Sequence, residues 1–205
     1  MGFRIRWSSC KRVGLVYDKS WSEITRCFFT CFERFVIGVF GSEAPLIVVS
    51  CYIPDSDQPG SDDTAEELYE QMGRARSVLL ARYPKASFCV LLDANVELPA
   101  GRLLTCGGEE FAATGEEGTC KRRRWERERG EGGSQQEVKE RRKKLTSLLL
   151  DFMADHGLKA ANTFATRQPT WESWGENRFV TQKRVLDYML VPYRWQISKV
   201  GAQWY

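Results

Sequence analysis

The stretch ASFCVLLDAN, residues 86–95, decides how this chain is read. Extended, it puts Phe88, Val90 and Leu92 on one side and Cys89 and Leu91 on the other. Two-sided burial of that kind is typical of a strand covered on both faces. Asp93 then emerges at the C-terminal end, followed by a small residue and Asn95. A carboxylate and a carboxamide at one strand end can meet at one point in space. The carboxylate can hold a metal or take a proton from water, and the amide can position a phosphate oxygen. Asp and Asn are equally the residues of an ordinary strand-to-loop turn, because their side chains hydrogen-bond their own backbone.

The sequence on either side repeats the strand signal. LIVVSCYIP (46–54) is rich in β-branched residues and closes on Pro54. Asp55 to Asp63 reads as a loop of Asp, Ser, Pro and Gly. A helix follows, with Thr64 and Glu67 spaced as a capping box. Leu68, Met72, Ala75 and Leu79 recur at helical spacing, and Pro84 ends the run. Residues 46–93 thus read strand, helix, strand, which is a crossover unit if the two strands are parallel. Upstream, RVGLVYD (12–18) is a short strand, and CFFTCFERFVIGVF (27–40) suggests two more. Residues 96–114 read as a loop with Pro and Gly.

Residues 115–147 differ in composition. KRRRWERERGEGG and KERRKK carry one aromatic, Trp125, and cannot build a core, so 115–144 is expected to be a mobile charged insertion. Its acidic residues offset many of the basic ones, which favours a solvated excursion over a polyanion site. Its end feeds a helix with the stripe Leu145, Leu148, Leu149, Phe152 and Met153, stopped by Gly157. His156, beside that glycine, reads as a residue favoured by the dipole at a helix C-terminus. In VLDYMLV, Asp187 stands between apolar neighbours and needs a partner or a function there.

The 205 residues suit one domain with a sizeable core, and the net charge of +3 does not diagnose a nucleic-acid binder. No run of 18 apolar residues is present, so no membrane span is expected. The first dozen residues lack an apolar signal core, and seven cysteines without a CxxC pair read as reduced thiols. The expected setting is intracellular. A single histidine, His156, excludes most Cys/His zinc sites.

The order of these segments carries more than any one of them. GLVYDKSW (14–21), YIP (52–54), LLDAN (91–95), HGLKAANTF (156–164), PTW (169–171) and LDYML (186–190) follow one another. In that order the chain resembles the endonuclease/exonuclease/phosphatase superfamily. It is most similar to the endonuclease domain of LINE-type non-LTR retrotransposons, related to abasic-site endonucleases. The resemblance covers about residues 12–192. It implies an α/β four-layer sandwich, two mixed β-sheets face to face with helices outside, here as a single partial domain over 1–205. It implies a metal-dependent DNA endonuclease, with Mg²⁺ as cofactor, DNA as partner, a reverse transcriptase domain in the full-length element and a nuclear setting.

Residue by residue, the resemblance assigns Tyr52 to the scissile phosphate, Asp93 to the attacking water and Asn95 to the phosphate. It matches Asp187 to the acid that orients a catalytic histidine, and Thr170 and Trp171 to the DNA-contacting surface. Three family features have no counterpart: an upstream Asn, an upstream Glu that ligates the metal, and a terminal S-D-H. Leu92 also replaces a family glycine. The metal ligands are therefore unassigned, and little or no turnover is expected of this chain. A non-catalytic nucleic-acid-binding remnant is the alternative. A phosphodiesterase of the same superfamily acting on small molecules or lipids is the third.

Overall fold

The β-branched runs find one another in a single sheet, and helices cover one of its faces. The computed structural model describes residues 2–19, 28–31, 33–41, 43–115, 135–165, 171–174, 180–184 and 186–197. The elements that build the sheet are β3 (Phe28–Cys31), β4 (Phe35–Phe40), β5 (Leu46–Tyr52), β6 (Ser87–Asp93), β9 (Leu158–Ala160) and β12 (Asp187–Pro192). They form one six-stranded sheet in the order β3-β4-β5-β6-β12-β9. β5 and β6 pair in parallel and the other neighbours are antiparallel, so the sheet is mixed. Three two-stranded pieces accompany it: β1 (Phe3–Trp7) with β2 (Gly14–Asp18), β7 (Leu103–Cys106) with β8 (Glu109–Ala112), and β10 (Trp171–Trp174) with β11 (Val180–Arg184). The architecture is a mixed α/β sandwich.

The expected crossover is present, since β5 and β6 run parallel and α1 (Ser61–Arg82) joins them. The helix starts four residues earlier than a capping box at Thr64 requires. Gly60, in the left-handed region, is its N-cap without a side-chain bond. Thr64 lies inside the first turn, where its Oγ1 donates to Gly60 O at 3.0 Å, and Glu67 accepts from Gln71 instead. Asp62 and Asp63 still place negative charge at the helix start, where the dipole favours it.

The second long helix, α2 (Gln135–His156), begins inside the stretch expected to be an insertion. Residues 116–134 of that stretch lie outside the described residues, and 135–144 form the first ten residues of α2. Its basic side chains face acidic partners. Lys144 Nζ lies 3.1 Å from Asp62, 3.4 Å from Asp63 and 3.6 Å from Glu66, while Arg141 Nε donates to Ser56 O at 2.9 Å. The charge run is therefore used within the fold, where it ties α2 to the start of α1 and to the loop after β5.

Both helices pack on the same sheet face. Ala65, Leu68, Tyr69 and Met72 of α1 and Leu145, Leu149, Phe152 and Met153 of α2 meet Ile47, Val49, Cys51, Phe88, Val90, Leu92, Tyr188 and Leu190. Tyr69 and Phe152 touch with ring centroids 5.1 Å apart. The opposite face is covered only in part. The β1–β2 hairpin buries Val13, Leu15 and Tyr17 against it, with Tyr17 edge-on to Phe40 at 5.7 Å. Cys89, Ala161 and Val191 form a small second cluster. Leu91 and Met189, next to that cluster, stay 39% and 41% exposed. The two-sided burial expected of β6 thus holds at Cys89 and fails at Leu91, and the gap becomes the floor of a cleft.

Glycine conformations correct one loop expectation and account for one helix end. Gly107 and Gly108, with φ of 58° and 85°, make the two-residue turn of the β7–β8 hairpin inside what reads as a plain loop. Gly157, with φ of 59°, ends α2 as expected, and a Cβ there would crowd the Tyr193 ring. Among the described residues, no helix is long and apolar enough to cross a membrane.

Both helices pack a buried stripe into the core, so truncating either stripe should be costly. Leu149→Ala, at a fully buried position, is expected to destabilise the fold by about 2–5 kcal/mol in urea denaturation. Leu103→Ala, at a position 53% exposed, is expected to change it by less than about 0.5 kcal/mol.

Candidate active site

Parallel pairing brings the C-terminal ends of β5 and β6 to one edge of the sheet, and antiparallel β12 starts at that same edge. The registers are explicit: Tyr52 pairs with Asp93, and Asp187 pairs with Asp93. Directly paired residues share a sheet face, and their neighbours Cys51, Leu92 and Tyr188 all point into the helix-covered core. Tyr52, Asp93 and Asp187 therefore stand side by side on the open face. They line one cleft of about 470 Å³ with Arg12, Gly14, Asn162 and Met189.

The row extends one strand further. Phe35 pairs with Cys51, and Arg34 O accepts from Tyr52 N at 3.1 Å, so Arg34 is the partner opposite Tyr52. Its guanidinium carbon lies 6.0 Å from the centroid of the Tyr52 ring. Four adjacent strands thus carry Arg34, Tyr52, Asp93 and Asp187 in one transverse line.

Asp93 is the strained member of the line. It is half-buried, and burial pushes its carboxyl up from 3.8 to about 6, helped by the negative charges of Asp187 and Asp55 and opposed by a hydrogen bond from the Asn95 backbone. A carboxylate that titrates near neutrality is suited to accept a proton from water. Asp55 stays occupied in its own loop, where its Oδ1 accepts from Ser56 Oγ and Asp57 N, each at 3.2 Å.

Two expected placements change. Asp187, read as an acid embedded in an apolar strand, is the first residue of β12 and is exposed. Its backbone carbonyl accepts from Asn162 Nδ2 at 2.8 Å, while Asn162 Oδ1 accepts from Met189 N at 3.2 Å. Asn162 thereby clips onto β12 as a short strand would. Asn95 does not join the cleft lining among the described residues. Its Nδ2 donates to Ile53 O at 2.7 Å, and its φ of 51° is the left-handed turn geometry that Asn tolerates. With Ile53 N bound to Asp93 O at 2.9 Å, this amide ties the exit of β5 to the exit of β6. It holds Asp93 in place from behind.

His156 lies away from the cleft. It packs between the helices, edge-on to Phe152 at 4.7 Å and against Gly73, and its carbonyl accepts from Arg76 Nη2 at 3.3 Å. Burial, then the nearby Arg76 charge, lower its pKa. His156 does stand in the last turn of α2, as expected, but burial there disfavours its charged form. Thr170 lies outside the described residues, and Trp171 is the first residue of β10.

No protein-family model matches the chain. No curated protein matches it. Among solved structures, the chain is similar to the endonuclease domain of TRAS1, a telomere-specific non-LTR retrotransposon. The TM-score is 0.51 at 14% identity, over 94% of this chain and 68% of that one. The chain shares the fold of that domain.

Sequence reading missed Arg12, Arg34 and Asn162. Asn162 stands within HGLKAANTF, and the two arginines precede strands, but only strand pairing shows what they face. The tie made by Asn95 gives a direct test. Asn95→Ala is expected to destabilise the fold by about 1–3 kcal/mol, combining a lost hydrogen bond with the left-handed backbone cost. Asn95→Gly should recover part of this, as measured by urea denaturation.

Proposed function

We propose that the cleft is the phosphodiester site of a metal-dependent DNA endonuclease of retroelement type. The carrying observation is the register that sets Tyr52, Asp93 and Asp187 side by side on one open face. The shared fold with a retrotransposon endonuclease domain and the order of motifs along the chain support this reading, including membership of the endonuclease/exonuclease/phosphatase superfamily.

On this reading, Asp93 orients the attacking water and takes its proton, since a group near pKa 6 gains and loses a proton readily at neutral pH. The Tyr52 hydroxyl donates to a phosphate oxygen. Asn95, through its bond to Ile53 O, fixes the geometry of Asp93 and does not itself touch the phosphate. Asp187 adds the second carboxylate. Two carboxylates on facing strands fit Mg²⁺, which commonly takes one or two protein carboxylates and fills its other positions with water and phosphate. Among the described residues no group of three or more His, Cys, Asp or Glu converges, so Asp93 and Asp187 are the carboxylates the described cleft offers. Mg²⁺ bound there would stabilise negative charge on a phosphoryl oxygen. Thr170 and Trp171 belong to the DNA-contacting surface on the same reading, and the DNA partner sets a nuclear location.

Turnover by the 205-residue chain is low. The one imidazole it has, His156, is spent between the helices, so none stands near the reacting phosphate. Losing one member of a catalytic unit commonly lowers rate by orders of magnitude. That observation favours a second reading, a nucleic-acid-binding domain that holds DNA without cutting it.

Duplex binding and plasmid nicking test both. With Mg²⁺, the wild-type chain is expected to bind a labelled duplex several-fold more tightly than in EDTA, and Asp93→Asn to lose that gain. Nicking of supercoiled plasmid is expected to stay at the level of Asp93→Ala. Binding indifferent to Mg²⁺ and to Asp93 would overturn the proposed site. Robust nicking abolished by Asp93→Ala would overturn the statement that turnover is low.

A further inference from the structure

The cleft is polarised in charge across the sheet. Asp93 and Asp187 lie on its β6 and β12 side. Arg34 does not itself line the cleft but stands against the Tyr52 ring, just beyond the lining on the β4 side. Arg12 lines the cleft from the connection between β1 and β2, and β2 packs over β4, so it too belongs to that side. Cys10 Sγ donates to Glu33 O, which joins this connection to the residue before Arg34.

The two arginines differ in a way that suits a shared ligand. Arg12 is exposed at the cleft wall. Arg34 is half-buried, and its Nη1 is closed off from solvent without a hydrogen-bond partner. Only two other buried side-chain polar atoms among the described residues share that condition, Ser61 Oγ and Arg76 Nε. Arg76 already spends Nη2 on the His156 carbonyl, whereas the Arg34 guanidinium stands against the Tyr52 ring. A buried guanidinium donor left without an acceptor is costly, and protein structures rarely keep one without a reason. Strands are about 4.8 Å apart, so Arg34 and Asp93 stand roughly 10 Å apart across Tyr52. That span accommodates one phosphate between a cation and a carboxylate.

We infer that Arg12 and Arg34 form the phosphate-binding wall of the cleft. They receive the non-bridging oxygens of a nucleic-acid phosphodiester, while the acids act on the opposite side of the same phosphorus. Arginine suits this role because its planar fork matches two phosphate oxygens at once. The arrangement also separates tasks: Tyr52 stands between the cationic and anionic halves, so a phosphate on its hydroxyl touches both. This inference rests on the phosphodiester reading of the site.

The test uses the full chain, a labelled duplex and inorganic phosphate. Arg12→Gln and Arg34→Gln are each expected to weaken duplex binding on the order of tenfold and to reduce the dependence of log affinity on log salt by about 1. Arg74→Gln, an exposed arginine paired with Glu70 on α1, should leave both unchanged. Arg34→Lys should fold like wild type and recover part of the affinity, which separates lost charge from a misfolded variant. Inorganic phosphate is expected to shift the Nε–Hε resonances of Arg12 and Arg34 in the wild type. Duplex binding with unchanged affinity and salt slope in both glutamine variants would overturn the inference and leave the phosphodiester reading standing. Phosphate bound through both arginines by a chain that binds no duplex would uphold the phosphate-binding wall and overturn nucleic acid as its ligand. A wild-type chain that binds neither duplex nor phosphate would overturn both.

Discussion

A parallel pair of strands cannot be joined by a tight turn. The chain must leave β5, travel back along the sheet as α1 and enter β6 from the starting edge, so both strands finish together. That constraint places Tyr52 beside Asp93 before any side chain is chosen. It also sends α1 across one face only, leaving the other face free to carry polar groups. The antiparallel start of β12 at the same edge completes the line, because an antiparallel neighbour begins where β6 ends. The cleft is a consequence of topology, and its chemistry comes from which residues occupy the strand ends.

Electrostatics then gives the strand ends different characters. Asp93 sits low on a half-covered face, between a tyrosine and a second acid, so burial and like charge both favour its neutral form. Asp187, one strand nearer the sheet margin, is exposed and solvated. Two carboxylates of one residue type thus divide into one that titrates near neutrality and one held at the surface. The mild net charge of +3 conceals a second division, in which Lys144 of α2 is bound to acids of α1 while Arg12 lines the cleft and Arg34 stands against the Tyr52 ring at its margin.

The strands were legible wherever hydrophobic runs were long. β4, β5, β6 and α1 follow from β-branched composition and helical spacing, and the residues that form the core are those the spacing selects. Failures occurred where a local signal competed with a tertiary one. Thr64 has the capping-box spacing, yet loop geometry starts the helix at Ser61. Residues 135–144 look like solvated low-complexity sequence, yet they form the first turns of α2, where Lys144 pairs with Asp62, Asp63 and Glu66. The Gly107–Gly108 pair is a standard hairpin signal that was outweighed by the surrounding Pro and Gly. In the site, Tyr52, Asp93 and Asp187 were legible because each ends or begins an apolar run. Asn95 was legible as a turn residue, and its Nδ2 closes that turn on Ile53 O. Arg34 was not legible, since its importance depends on lying opposite Tyr52, a fact of register and not of composition.

Strand register sets half-buried Asp93 beside exposed Asp187 on the open face. Carbon-13 NMR titration of the Asp93 carboxyl, in the wild type and in Asp187→Asn, tests this arrangement directly. The account predicts a wild-type pKa of about 6, with burial as the larger cause and Asp187 as the next, and a lower value once the Asp187 charge is removed. An Asp93 that titrates at the ordinary carboxylate value in the wild type, and does not respond to Asp187→Asn, would contradict it.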